Sequence, residues 1–326
     1  MTRLQHTWAV VLAAGDGTRL SALTTDSDGN PVPKQFCSLN GDGSLLHKAL
    51  QRAARVVPRD RVCAIVADQH RPYWRMDLWA LPADNIIVQP SNRGTAHGVL
   101  LAVLSILERD PFARIVFLPA DHYVADESAL AGSLRETTAL LNRNTQGLVL
   151  VGIEPEEPDP ELGYIVPGQT LRDGSYAVEQ FVEKPQPRVA SELLSSGALW
   201  NSFIFAANGA SLLGLLRQRI ASSVEDIETA LARDDRSHAL ARTYERLHSV
   251  DFSRAIVQGA EKSLRVIAAP QCGWTDLGTP KRVADTLRRL DRLSSKPALT
   301  QTAYRSSVRA PAFINLAAQH ARLGLS

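Results

Sequence analysis

The chain has 326 residues, enough for about two domains or one large α/β domain at roughly 100–200 residues per domain, and 44% of them are apolar. Its 36 Lys and Arg balance 34 Asp and Glu, so a formal net charge of +2 creates no global field to draw in nucleic acid or an anionic membrane. Aromatic residues, at 6%, are too sparse for a stacking platform on single strands. Cys37, Cys63 and Cys272 lie far apart, with neither zinc spacing nor a disulfide framework, which points to the reducing cytoplasm. The longest apolar run, Trp8–Ala14, has seven residues, far short of a membrane span of ~20. No secretory leader is expected either.

In chain order, Trp8–Ala13 reads as a buried strand, followed by a Gly- and Pro-rich loop to Phe36. Leu45, Leu46, Ala49, Leu50, Ala53, Ala54 and Val57 recur at helical spacing. Arg61–Ala67 and Asn85–Val88 read as strands, Ala96–Glu108 as a helix, and Arg114–Leu118 as a strand ending at Pro119-Ala120-Asp121. Ser128–Leu141 reads as a helix and Gly147–Ile153 as a strand. This alternation predicts an α/β fold: a Rossmann-like, mostly parallel mixed sheet with helices on both faces.

The pattern changes after Glu154. Glu154–Leu162 is an acidic, Pro-rich loop, and short strands are expected at Gly163–Val166, Tyr176–Val182 and Ser202–Phe205. Asp173-Gly174 marks a hairpin turn. Leu212–Ile220 and Ile227–Leu231 read as helix, Ala255–Val257 and Leu264–Ala268 as strands, and Ala284–Leu293 as a basic amphipathic helix. Trp74 and Trp79 fall on an expected helix as packing or surface residues.

Directly after the first strand comes Leu12-Ala13-Ala14-Gly15-Asp16-Gly17-Thr18-Arg19-Leu20. Its glycines permit a tight turn that brings backbone N–H groups close to an anion. Leu20 stands where a dinucleotide-binding fingerprint needs a third Gly, and no Gly-Lys pair makes a Walker A loop. Arg19 can fork two phosphate oxygens, and Lys34, fifteen residues on in Pro33-Lys34-Gln35, adds a point charge. Asp121 follows a strand at the sheet end where α/β proteins bind ligands, and Asp276 is a second candidate for Mg²⁺. His122 beside Asp121 reads as a hydrogen-bonding partner. Either Asp alone is also a turn acceptor.

Together these residues resemble the sugar-1-phosphate nucleotidylyltransferases, and most closely their mannose-1-phosphate guanylyltransferase branch. The resemblance rests on Leu12–Leu20 with Pro33-Lys34-Gln35-Phe36, Gln89-Pro90-Ser91-Asn92-Arg93-Gly94-Thr95-Ala96 and Pro119-Ala120-Asp121-His122. It continues through Gly163-Tyr164-Ile165, Val182-Glu183-Lys184-Pro185, Trp200-Asn201-Ser202 and Gly273–Gly278, collinear over residues 8–290. It implies attack of a sugar 1-phosphate, for this branch mannose 1-phosphate, on the α-phosphorus of GTP with Mg²⁺ as cofactor. It implies Arg19, Lys34, Asp121 and Lys184 as catalytic, and Asp121 and Asp276 as metal ligands. Leu12, Ala13, Ala14, Gly15, Gly17, Thr18, Gln89, Asn92, Arg93, Gly94 and Thr95 would bind the nucleotide. Gly163, Tyr164, Glu183 and Asn201 would bind the sugar. Taken alone, Glu183-Lys184-Pro185 is also a polar strand end, and Trp200-Asn201-Ser202 a packed aromatic at a turn.

The chain departs from the family's usual pattern at three places: Ala14 replaces a glycine, Ser21–Val32 is polar, and Phe203 stands where Gly is usual. The expected organisation is a nucleotidyltransferase domain over 1–290, its nucleotide part at 1–154 and sugar part at 155–290, then a tail at 291–326. With no room for the isomerase domain of longer relatives, a stand-alone transferase is expected. The basic helix and tail are candidates for packing on the core or for a homodimer contact.

Overall fold

A computed structural model describes residues 5–26, 29–141 and 147–294. The first apolar run is β1 (Thr7–Leu12), which pairs in parallel with β2 (Val62–Ala67) on one side and β4 (Arg114–Pro119) on the other. β3 (Ile86–Gln89) extends the parallel section beyond β2. These strands are almost wholly apolar because both faces are covered. Trp8 and Val10 of β1 face one core, and Ala9 and Val11 the other, as a period of two requires. Against the Ala9 face pack α1 (Leu45–Ala53), α2 (Arg71–Asp77), α4 (Glu127–Leu141), α5 (Pro187–Ser195) and α9 (Pro280–Ser294). Against the Trp8 face pack α3 (Thr95–Arg109), α6 (Gly209–Arg219), α7 (Ala221–Leu231) and α8 (Arg236–Arg246).

The remaining strands are β5 (Leu148–Ile153), β6 (Tyr164–Thr170), β7 (Tyr176–Val182), β8 (Leu199–Asn208) and β9 (Leu264–Ala269). The nine-stranded order is β3-β2-β1-β4-β8-β5-β9-β7-β6. Beyond β4 the sheet is not mostly parallel. Only β5 and β9 pair in parallel there, and β8 runs antiparallel to β4, β5 and β6. A long strand inserted antiparallel lets β6–β7, a hairpin turned at Asp173-Gly174, reach the same sheet. Pairings β8–β5, β5–β9, β9–β7, β7–β6 and β6–β8 form a closed circuit, so this half curls upon itself.

Within that circuit β8 carries a bulge. Leu150 faces Phe205 and Gly152 faces Asn201, so Ser202, Phe203 and Ile204 together oppose Val151. The Ser202 hydroxyl donates to Val151 O at 2.5 Å, and Phe203 adopts φ +56°.

Some expectations need correction. Ala255–Val257 is not a strand: Ser253–Val257 forms one π-helical turn, with Ala255 N donating to Asp251 O at 2.9 Å. Short apolar runs do not separate strand from buried turn. Trp79 lies beyond α2 and is 79% exposed, whereas Trp74 is buried and donates to Ala67 O. Helices α5 and α8 were not expected. The three cysteines are free and buried. No described helix is long and apolar enough to cross a membrane. The expected tail lies outside the described residues beyond Ser294.

Candidate active site

The order of β2, β1 and β4 reverses direction at β1, and the crevice beyond the carboxyl ends of β1 and β4 is where such sheets bind ligands. A cleft of about 390 Å³ opens there. Leu12, Ala14, Gly15 and Arg19 line it after β1, and Asp121 and His122 after β4. Gln89, Asn92, Gly94 and Thr95 line it at the start of α3. Gly163, Glu183, Lys184 and Asn201 close the far end, and Asp276 joins Asp121 on the floor. Ala13, Gly17, Thr18, Lys34, Arg93 and Tyr164 do not line it.

The loop after β1 is shaped from below. The Gln35 amide donates to Ala13 O at 3.1 Å and Gly15 O at 2.7 Å. Gly17 has φ +63°, and a Cβ there would sit 2.9 Å from Lys34 N, so glycine is required on both counts. Ala13 is therefore buried support. Arg19 reaches over the mouth to Glu161 at 3.3 Å, with both side chains more than half exposed. Such a pair contributes little stability, so the guanidinium is available to a polyphosphate.

The floor is a charge network. Lys34, buried, points Nζ to Asp121 Oδ2 at 3.0 Å and to the backbone carbonyls of Asp276 at 2.5 Å and Leu277 at 3.4 Å. It thus joins the loop after β4 to the Asp276 loop rather than reaching into the cleft. Burial alone would raise the Asp121 carboxyl, but the Lys34 ammonium and His122 outweigh it and hold the carboxyl below its ordinary value. Burial pushes the His122 imidazole down to about 4, against the pull of Asp121 and Asp276, so it is neutral at pH 7. Its Nδ1 accepts from Trp274 Nε1 at 3.2 Å, which leaves the proton on Nε2, 3.6 Å from Asp121 Oδ1. Asp276 Oδ1 accepts from Gly278 N at 3.0 Å and pairs with Arg282 Nε at 3.2 Å. Arg282 also holds Asp159 at 2.8 Å. Sequence reasoning missed Arg282, which reads there as one more base on α9.

The start of α3 is fixed by its neighbours. Gly94 has φ +85°, and a Cβ there would collide with the Val250 backbone. The Thr95 hydroxyl accepts from Phe252 N at 2.8 Å, and Asn92 Oδ1 accepts from Gly94 N at 2.9 Å. Arg93 turns away, donating from Nε to Tyr244 O at 2.6 Å, and so anchors α8. Gln89 is buried, and its Oε1 has no hydrogen-bond partner among the described residues. An unsatisfied buried acceptor is costly, and this one lies at the cleft.

At the far end, the hairpin and β8 bring together residues remote in sequence. Asn201 N donates to Gly163 O at 2.8 Å. A Cβ on Gly163 would lie 2.6 Å from Glu183 Oε2, so the glycine makes room for that carboxylate. Burial first, then Asp251, raises the Glu183 carboxyl, with Lys184 and Arg254 opposing. Lys184 Nζ is 3.8 Å from Glu183 Oε1. Tyr164 is fully buried and its hydroxyl accepts from Asp159 N, which removes it from contact with a ligand. Ser249, Asp251, Ser253 and Phe203 line the cleft unforeseen. The non-glycine residues with positive φ, Lys184, Phe203 and Leu277, all lie in or beside it, as strain does at functional sites.

An α/β crevice with an anion-facing loop on one side and paired carboxylates on the other defines a nucleotide-handling class of protein. The chain matches the nucleotidyl transferase family over residues 8–291 and belongs to it. It is 30% identical over 300 residues to mannose-1-phosphate guanylyltransferase 2 of Escherichia coli O157:H7, covering 83% of this chain and 58% of that protein. Mannose-1-phosphate guanylyltransferase RfbM of Salmonella typhimurium strain LT2 is 29% identical over 291 residues, with 83% and 56% covered. The chain thus spans less than two thirds of these relatives' length. Among solved structures it resembles one titled mannose-1-phosphate geranyltransferase from Thermus thermophilus, with a TM-score of 0.74 and 30% identity. That match covers 90% of this chain and 80% of the other.

Proposed function

We propose that the chain makes GDP-mannose and pyrophosphate from GTP and mannose 1-phosphate. A phosphate oxygen of the sugar 1-phosphate attacks the α-phosphorus of GTP in line, and the bond to pyrophosphate breaks. The attacking oxygen is already anionic near pH 7, so no general base is needed, and rate comes from positioning and charge neutralisation. The neutral His122 accordingly keeps its proton and steadies Asp121.

The observation that carries this reading is the cleft floor, where two carboxylates from different loops are joined by buried Lys34. Asp121 and Asp276 offer hard oxygen donors on one cleft and fit Mg²⁺, which would neutralise phosphate charge there. Arg19 and Lys184 supply mobile positive charge to the leaving pyrophosphate and the sugar phosphate. The unpartnered Gln89 carbonyl suits the N–H edge of guanine. Glu183 and Asn201 suit sugar hydroxyls.

The test is pyrophosphate release from the full chain with Mg²⁺ and a matrix of nucleoside triphosphates and sugar 1-phosphates. Release is expected to be fastest with GTP and mannose 1-phosphate, and no release with any pair overturns the reading. Asp121→Ala should lower turnover by about 10³-fold while the fold persists; a rate near wild type would remove Asp121 from the mechanism.

A further inference from the structure

We infer that Phe203 is a specificity-determining residue whose ring forms a platform for the C–H face of the sugar; this rests on the sugar-1-phosphate reading above. The bulge in β8 carries the inference. Three residues oppose the single Val151, and the middle one, Phe203, is held at φ +56°. Bulges beside binding sites re-aim a side chain, and left-handed backbone disfavours any residue with a Cβ. A glycine would occupy this corner without strain. The corner is nevertheless fixed on both sides: Phe203 N donates to Asn201 Oδ1 at 3.1 Å, and Ile204 N donates to Ser202 Oγ at 3.2 Å.

The result is a half-buried ring on the cleft wall beside Asn201, Glu183 and Ser253. Phe205 and Phe252 stack behind it at 4.8 Å, and Phe203 stands across both, at 6.0 Å and 5.9 Å with interplanar angles of 83° and 68°. Two buried rings therefore set its orientation before any ligand arrives, which lowers the ordering cost of binding. A pyranose has a polar rim of hydroxyls and an apolar face of C–H groups. Glu183 and Asn201 suit the rim, and the ring suits the face. The same ring fills volume, so sugars bearing an axial hydroxyl toward it are disfavoured.

The experiment measures steady-state kinetics and calorimetric binding for wild type and for Phe203→Gly, Phe203→Leu and Phe203→Tyr, with melting curves for each. Phe203→Gly should raise the KM for the sugar 1-phosphate about tenfold and leave the KM for the nucleotide within about twofold. Phe203→Tyr should restore the wild-type value, and Phe203→Leu should not. The glycine variant should also discriminate less between epimeric sugar 1-phosphates. Rescue by Leu, or equal movement of both KM values, reduces Phe203 to packing and overturns the inference alone. If wild type turns over no pair, the parent reading fails. Calorimetry with sugar 1-phosphates alone then decides the platform, which is overturned if wild type and Phe203→Gly bind equally or not at all.

Discussion

Replacing Lys34 by Met removes the ammonium and keeps most of the stem. In the native chain Nζ reaches Asp276 O at 2.5 Å, Leu277 O at 3.4 Å and Asp121 Oδ2 at 3.0 Å. A hydrogen bond from a charged donor to a carbonyl is worth about 1.5–3 kcal/mol. Because the Asp121 side chain is 39% exposed, its ion pair is discounted to ~0.5–1 kcal/mol. Lys34→Met should therefore cost about 2–4 kcal/mol. At roughly 2–4 °C per kcal/mol for a chain of this order, the melting temperature should fall by about 5–15 °C. Turnover should fall further, by about 10²–10³-fold, because the floor loses its fixed positive charge. Chemical denaturation and pyrophosphate release measure the two effects, and a double-mutant cycle with Asp121→Asn isolates the pair. A melting temperature within about 1 °C of wild type, with turnover within twofold, would refute the reasoning.

Three further outcomes follow from the same geometry. Gly163→Ala places a Cβ 2.6 Å from Glu183 Oε2, so it should raise the KM for the sugar 1-phosphate with little change for the nucleotide; unchanged kinetics would show that the carboxylate is not needed there. Glu183 has a raised pKa from burial and then Asp251, so its charged form is lost on acidification sooner than that of an ordinary Glu. The KM for the sugar 1-phosphate should rise as pH falls toward that raised value, and Glu183→Gln should flatten the profile; identical profiles would count against it. The stability sign is opposite: the protonated carboxyl favours the fold below the unfolded value of about 4.3, and that contribution is lost as pH rises through the folded value. Urea titrations of wild type and Glu183→Gln read this directly. Arg282→Met leaves Asp159 and Asp276 without their shared cation, at side-chain exposures of 16% and 19%. Its melting temperature should fall, and Mg²⁺ should recover more of it than it adds to wild type, since a second cation replaces the lost charge. Equal Mg²⁺ increments in both proteins would argue against Asp276 as a ligand.

Much of the parallel section was legible in the residues, because its strands are buried on both faces and read as unbroken apolar runs bounded by turns. β7 was bounded correctly because its pattern is flanked by turn signals at Asp173-Gly174 and Pro185. Helices α5 and α8 had signals that were not used: Pro187 at a first helical turn, and Ala239, Leu240, Thr243 and Tyr244 at helical spacing. The antiparallel course of β8 had no local signal, since strand direction depends on what lies alongside.

The sequence by itself determined the chemistry available. The glycine loop, Arg19, the two aspartates and the polar residues of the sugar segments are local patterns whose residue types limit what they can bind. Only the tertiary structure decided which of them face a ligand. Lys34 acts from beneath through Asp121, Arg93 anchors α8, and Tyr164 supports Asp159. The closed circuit of strands brings Gly163, Glu183 and Asn201 together, and the β8 bulge turns Phe203 into the same cleft. The physical reason is that side-chain direction is set by strand register and long-range pairing, and a shift of one residue reverses the face.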